Sequence, residues 1–395
     1  MAGDGAARTP AAIAVVVIPA HNGERYLDAA ISSARQQTLR EIEIVVVDDR
    51  SSDRTGAVAA RHVQDDPRVR YVVADVGSAG AARNIGWRSS RAPYVANLDH
   101  DDLAEPERLA RQVDFLEAHP EVGLVGSFAY LIDGSGRRCA NMKAPTDAAE
   151  VTNALLTGGP AHVTHSTATF RRSLLEQLGG YRELPGTAVE DYDLFMRIAE
   201  RSLVANIPEF LGSWRLHDAS SSQQLMDINR WNLLMQHSAR CRRAGLPDPL
   251  EGVGARQLPT DAELEQMGYL TEDLRRGTFG NHLRWAGLHL TTRDLVGARH
   301  HLRGARRHLE TGSAAERAAY LVVRARVELA VGDVAGFVRA SLGALLLDPV
   351  NAVGLLARPV LGRTGGAVYR SLPAGGGAAG RWLHRRLVSG LRRFD

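Results

Sequence analysis

Residues 13–54, IAVVVIPAHNGERYLDAAISSARQQTLREIEIVVVDDRSSDR, switch between two kinds of pattern. Ile13–Ile18 is an unbroken, largely β-branched apolar run, the mark of a strand buried on both faces. Within residues 24–37, Leu27, Ala30, Ile31 and Ala34 recur at helical spacing, and Ile42–Val47 then repeats the buried-strand pattern. Two buried strands joined through a helix by short links predict a parallel β-α-β unit.

The rhythm continues outward, with helices expected near 53–64, 80–90 and 107–118 and strands at Val69–Val73, Tyr94–Leu98 and Val122–Gly126. The fold class expected is therefore α/β, a doubly wound and mostly parallel sheet, whose ligands bind beyond the carboxyl ends of its strands. From 127 to 220 the pattern is mixed, with a turn at Asp133–Gly136, a strand near Ser166–Phe170 and a helix over Val189–Arg201. Beyond 223 helices dominate. Asp294, Gly297 and Ala305 fall on Asp333, Gly336 and Ala344 at an offset of 39, and ALLLDPVN (344–351) resembles the close of a tetratricopeptide-type hairpin. The expected organisation is an α/β domain over 1–222, an all-α domain over 223–350, and a Gly-rich link with a basic tail over 351–395.

The 395 residues carry 48 basic and 45 acidic side chains, a net charge of +3. That balance excludes a disordered chain and gives no reason to expect a nucleic-acid partner. The charge is uneven: residues 356–395 hold eight arginines against one acid, Asp395, so the remainder is mildly acidic. Leu383, Leu387, Leu391 and Phe394 share one face of an expected helix over 381–395, with arginines around it. Such a segment suits an anionic lipid surface, so a cytoplasmic protein in peripheral contact with the inner face of the membrane is expected. The helical region is a candidate homodimer contact. Two cysteines, Cys139 and Cys241, make neither a disulfide framework nor a cysteine-rich zinc site.

Four expected strand or loop ends carry the polar residues that matter. They are IPAHN (18–22), Asp48-Asp49 within VVVDDRSSDRT (45–55), GSAGAARNIG (77–86) and LDHDD (98–102). Singly, each reads as a turn or helix cap. As an ordered set they point to a nucleotide diphosphate bound with a divalent cation. Asp99 and Asp101 lie two apart in an extended segment and so face one side, which suits Mg²⁺ or Mn²⁺ held together with substrate phosphates. Asp49 can accept from the N–H of a base edge. His21 can stack on the base, backbone around Pro19 and Ala20 can close the other side, and Arg83 can reach the nucleotide as a forked donor. A Gly-x-Gly-x-x-Gly turn after the first strand and a Gly-x-x-x-x-Gly-Lys phosphate loop are both missing, which counts against a dehydrogenase and a P-loop NTPase.

In this order the motifs resemble the family-2 glycosyltransferases of the GT-A fold, over about residues 12–217. The resemblance implies that Pro19–Asn22 and Asp49 hold the nucleobase. It implies that Asp99 and His100 lie near the ribose and diphosphate, and that Asp101 is the main metal ligand. FRRSLLEQLGGYRE (170–183) and VEDYDLFMRIAE (189–200) look like the acceptor side, with Asp191 as the catalytic base. WRLHDASSS (214–222) resembles a segment whose histidine, here His217, completes the metal or diphosphate site. The implied activity is inverting, metal-dependent transfer of one sugar, from a UDP-sugar above all, to a hydroxyl of a cell-surface glycan, a lipid-linked glycan or a secondary metabolite. A peptide acceptor held by the helical domain and a degenerate, inactive scaffold are the alternatives. His162, His165 and Trp214 read as structural.

Overall fold

Strand β1 (Ala14–Ala20) is buried at every residue, as its composition requires. It belongs to a computed structural model that describes residues 11–159, 162–183, 189–217, 225–251, 258–309, 311–348 and 352. The Gly-rich link and the basic tail lie outside the described residues. The chain packs as two units. One comprises Met1–Ala129, Ala144–Trp214 and Ser238–Arg256; the other comprises Tyr130–Lys143, Arg215–His237 and Gln257–Asp395.

In the first unit β1 is followed by α1 (Leu27–Arg35), β2 (Ile42–Asp49), α2 (Thr55–Asp65), β3 (Val69–Ala74), α3 (Ala79–Arg88) and β4 (Tyr94–Asn97). These strands pair in parallel in the order β3-β2-β1-β4, with Val17 opposite both Val45 and Asn97. Helix α3 lies close on the sheet because of Gly86, where a Cβ would come within 2.4 Å of a Val17 methyl. Beyond β4 the pairing changes sense. The chain continues through β5 (Leu103–Ala104), α4 (Arg108–Ala118), β6 (Val122–Ile132), β7 (Arg138–Met142) and α5 (Ala148–Leu156). After a 3₁₀ turn at His165–Thr167 come β8 (Thr169–Arg171), α6 (Arg172–Leu178), α7 (Glu190–Ala199) and β9 (Leu203–Arg215). The sheet runs on as β4-β8-β6-β9-β5, with β4–β8, β8–β6 and β9–β5 antiparallel. The α/β class expected from sequence is the one observed, as a mixed sheet whose parallel half is N-terminal. Arg108, fully buried, ties β4 to the turn before β8 by donating to the carbonyls of Asn97 (2.8 Å) and Ala168 (3.2 Å).

In the second unit the expected turn at Asp133–Gly136 forms, with Asp133 accepting from the N–H groups of Ser135 (3.0 Å) and Arg137 (3.1 Å). The helices are α8 (Leu225–Arg243), which begins here, α9 (Asp261–Gln266), α10 (Thr271–Thr291), α11 (Leu295–Arg306), α12 (Ala314–Ala330) and α13 (Val334–Leu347). The offset of 39 is structural. Asp294 caps α11 through the Gly297 N–H (2.9 Å), and Asp333 caps α13 through that of Gly336 (2.8 Å). Buried positions coincide as well: Phe279 with Ala318, Leu283 with Val322, Ala286 with Ala325, and Ala305 with Ala344. The hairpins α10–α11 and α12–α13 are thus two copies of one unit. No helix among the described residues is long and apolar enough to cross a membrane.

The first hairpin encloses imidazoles. His282 and His301 bring their Nδ1 atoms to 3.2 Å, Trp285 and His289 stack on His301, and His289 Nδ1 meets Asp294 Oδ2 at 2.6 Å. Burial, reinforced by neighbouring imidazoles including His300 and His308, pushes His282 down to about 4 and His301 to about 3. Both are neutral in the fold, whereas an unfolded imidazole titrates near 6.5. As pH falls below about 6.5 the unfolded chain binds protons that the folded one refuses, so stability is lost between there and about 4. Circular-dichroism melts should therefore show the helical unit melting lower at pH 5 than at pH 7.5. His301→Leu should shrink that difference; an unchanged difference would remove these histidines as its cause.

Candidate active site

The parallel register sets Ala20 beside Asp48, so the loops after β1 and β2 emerge together. His21 Nδ1 lies 2.6 Å from the Asp49 carbonyl oxygen. Asn22 adopts a positive φ of 51°, donates its N–H to Ser51 Oγ (2.8 Å) and accepts from the Ser52 N–H (2.9 Å). Of the adjacent acids, Asp48 is scaffolding, accepting from the Tyr71 hydroxyl (2.6 Å) and the Ser51 N–H (3.0 Å). Asp49 accepts from the Val76 N–H at 2.9 Å. Burial alone would raise the Asp49 pKa, but the N–H groups of Val76 and Gly77 and the Arg50 cation outweigh it and lower the value. It is a fixed, ionised acceptor.

Asp99, His100 and Asp101 follow β4. A Cβ on Gly23 would come within 2.7 Å of His100 Cδ2, so the loop after β1 and the loop after β4 are in contact and only glycine fits between them. Arg83, 4% exposed, reaches from α3 in two directions. Its Nη2 donates to Asp99 Oδ1 (2.6 Å) and its Nη1 to Glu190 Oε1 (2.7 Å). Burial works against the Asp99 charge, yet the Arg83 guanidinium holds this carboxyl well below the usual range. Sequence reasoning aimed Arg83 at the nucleotide; the structure engages both of its Nη atoms with carboxylates.

Behind this bridge lie three residues the motifs did not single out as a site. His165 Nε2 is 2.7 Å from Asn97 Nδ2 and 2.9 Å from the Tyr181 hydroxyl, and Asn97 also bonds Tyr181. Burial and the nearby Arg83 charge push His165 down to about 3, which keeps it neutral. The Tyr181 backbone is clamped to α3, donating its N–H to Asn84 Oδ1 (2.9 Å) and accepting from Asn84 Nδ2 (2.8 Å). The glycine pair in 170–183 was the available signal: Gly180 has φ +80° and leaves no room for a Cβ beside Asn84. The same segment, with Arg197, Glu200, Arg242 and Asp248, lines a cleft of about 990 Å³ that includes none of Asp49, Asp99 and Asp101.

The first turn of α7 contains three acids with different surroundings. Glu190 is tied to Arg83. Asp193, fully buried, is shared between Arg182 (3.0 Å) and Arg197 (2.8 Å). Asp191 accepts from the Tyr192 N–H (2.7 Å) and, among the described residues, has no cation bonded to it. Its burial, and then the adjacent Glu190 charge, raise its pKa well above the ordinary carboxylate range. His217 is half-buried in the second unit.

Among the described residues no three His, Cys, Asp or Glu side chains gather into a ready-made metal cage. The donors after β4 are carboxylates, and Asp99 Oδ1 is already committed to Arg83. That set fits Mg²⁺ or Mn²⁺, which takes one or two carboxylates and completes its shell with water and phosphate oxygens. Arg83→Ala leaves two carboxylates facing each other without their cation. It should cost about 3 kcal/mol or more in urea denaturation, and Arg83→Lys should recover only part. A loss within about 0.5 kcal/mol, typical of surface changes, would mean the bridge does not hold the unit together.

Comparison with known proteins completes the description. The family described as "Glycosyl transferase family 2" matches residues 15–179. The Sinorhizobium fredii protein y4gI is 31% identical over 52% of this chain and 23% of its own length. The chondroitin synthase of Escherichia coli is 27% identical over 55% of this chain and 31% of its own length. The chain thus spans a third or less of these two relatives. EpsE of Bacillus subtilis, which bears a glycosyltransferase name, is 30% identical over 59% of this chain and 83% of its own length. Among solved structures, S. aureus TarS in complex with UDP-GlcNAc aligns at 16% identity and a TM-score of 0.49, over 84% of this chain and 91% of that one. With strand-end acids in the expected order and a relative of this identity and coverage, the chain belongs to the family-2 glycosyltransferases.

Proposed function

We propose that this protein moves a single sugar from a nucleotide diphosphate sugar, a UDP-sugar, to a hydroxyl acceptor on a glycan, a lipid-linked glycan or a secondary metabolite, with inversion at the anomeric carbon. The observation that carries this reading is the Arg83 bridge. One guanidinium joins Asp99, on the donor side, to Glu190, whose neighbour Asp191 has the raised pKa.

In this reading Asp49 accepts from the base edge, flanked by Pro19, Ala20 and His21. Asp99 and His100 lie at the ribose and diphosphate. Asp101, with Asp99, would hold Mn²⁺ or Mg²⁺, with water and phosphate oxygens completing its shell. When bound, that cation supplies a Lewis acid for the negative charge that develops on the leaving diphosphate. Asp191 removes the acceptor hydroxyl proton as the acceptor oxygen bonds to the anomeric carbon. The bond from that carbon to the diphosphate oxygen breaks, and the nucleoside diphosphate departs with the electron pair. A carboxylate raised toward neutrality by burial suits this task, because a base is most effective with a pKa near the working pH. In this reading the segments 170–183 and 189–200 form the acceptor side.

Asp191→Asn should lower transfer by about a hundredfold or more while UDP affinity by calorimetry stays unchanged; surviving transfer would place the base elsewhere. Asp101→Ala should abolish Mn²⁺-dependent hydrolysis of UDP-sugars. Hydrolysis absent from the wild type with every nucleotide sugar and cation would sink the enzymatic reading. The acid limb of the rate profile should lie above the ordinary Asp value of about 3.9, and Arg83→Ala should move it higher still, since Arg83 favours the Asp191 charge. An acid limb at the ordinary value would contradict the assignment of Asp191.

A further inference from the structure

Helices α11 and α13 hold the same place in the two copies of the hairpin. On α11 and its C-cap, positions 299, 303 and 307 are arginines exposed to solvent. Thirty-nine residues on, the same positions of α13 are Val338, Leu342 and Leu346, exposed by 46, 57 and 86%. Val334, 63% exposed, extends the row by one more step of four residues. Isolated exposed leucines need no explanation, but a continuous apolar row along one helix face marks a surface that is covered. The hairpin itself does not require apolar residues there, because its first copy has arginines.

We propose that this row seats the chain's own C-terminal segment, residues 381–395. Size argues against a second copy of the chain. Four side chains fall well short of the roughly 800 Å² per partner that a specific complex buries. A tethered segment needs far less, since its effective concentration is on the order of millimolar and no second molecule is immobilised. Pattern argues for the segment. Leu383, Leu387, Leu391 and Phe394 recur at three- and four-residue spacing, and Arg381, Arg385, Arg386, Arg392 and Arg393 fall on the opposite side of a helix. The row on α13 has the same spacing and includes no acid. Reach is sufficient: 28 residues separate Ala352 from Arg381, and a chain extends by up to about 3.3 Å for each residue. The 14 residues of α13 measure about 21 Å.

The test uses the full chain and limited trypsin digestion, following cleavage after Arg385 and Arg386 by mass spectrometry. Three proteins are compared with the wild type: Leu342→Asp with Leu346→Asp, Leu387→Asp with Leu391→Asp, and all four changes together. Docking predicts that either pair raises the cleavage rate at least tenfold and that the quadruple variant is cut no faster than either pair. If the α13 pair perturbs folding in a thermal melt, the pair in the segment, which leaves α13 intact, decides. Equal cleavage rates in all four proteins would overturn the proposal. So would sedimentation showing a wild-type dimer that the α13 pair makes monomeric, which would assign the row to a second copy. Protection of the segment only when anionic vesicles are added, regardless of the α13 changes, would assign it to lipid and likewise overturn the proposal.

Discussion

A buried guanidinium with two carboxylates is the constraint on which the α/β unit depends. Arg83 comes from α3, Asp99 from the end of β4, and Glu190 from the start of α7. Taking such charges out of water is expensive, and only good geometry to every partner offsets the cost. The three elements are therefore fixed relative to one another to within a hydrogen-bond length. Glu190 Oε2 and Arg83 Nε remain buried without a bond to the protein, so the bridge spends its hydrogen bonds on joining elements rather than on satisfying every atom. The consequence for chemistry falls on the neighbour. Glu190 and Asp193 have cations; Asp191, between them in sequence, does not, and its charge is the one left poorly supported.

The parallel half of the sheet was legible because fully buried strands need long apolar runs, which β1 has unbroken and which Glu43 alone interrupts in Ile42–Val47 of β2. The antiparallel half was not. Two residues at Leu103–Ala104 and three at Thr169–Arg171 are strands only because β9, β4 and β6 lie alongside. The expected strand at Ser166–Phe170 begins instead as a 3₁₀ turn, followed at Ala168 by a carbonyl that Arg108 shares with that of Asn97 on β4. In the site, the acids at strand ends could be read off because their positions follow from topology. Partners could not. Glu190 lies 107 residues from Arg83, and Asn97, a polar side chain inside a buried strand, finds His165 and Tyr181 only 68 and 84 residues later.

The two units share a preference reached by different means. In the α/β unit a carboxylate is held where its charge is disfavoured, and the proposed chemistry needs it unprotonated. In the helical unit imidazoles are held where their charge is disfavoured, and packing needs them unprotonated. Desolvation is the same force in both, raising one pKa and lowering the others. A protein so built keeps its fold and its proposed activity on the same side of neutrality.

The hairpin that recurs at 39 residues has the same aspartate cap on its second helix and the same three-residue loop in both copies, so the helical unit can grow by whole steps. An in-frame duplication of 39 codons would insert another hairpin whose interfaces already exist. What such a duplication could not reuse is the outer face of α13, because a valine and two leucines there replace the arginines of the earlier copy. The difference between the copies gives the second hairpin an outer face that the first does not have.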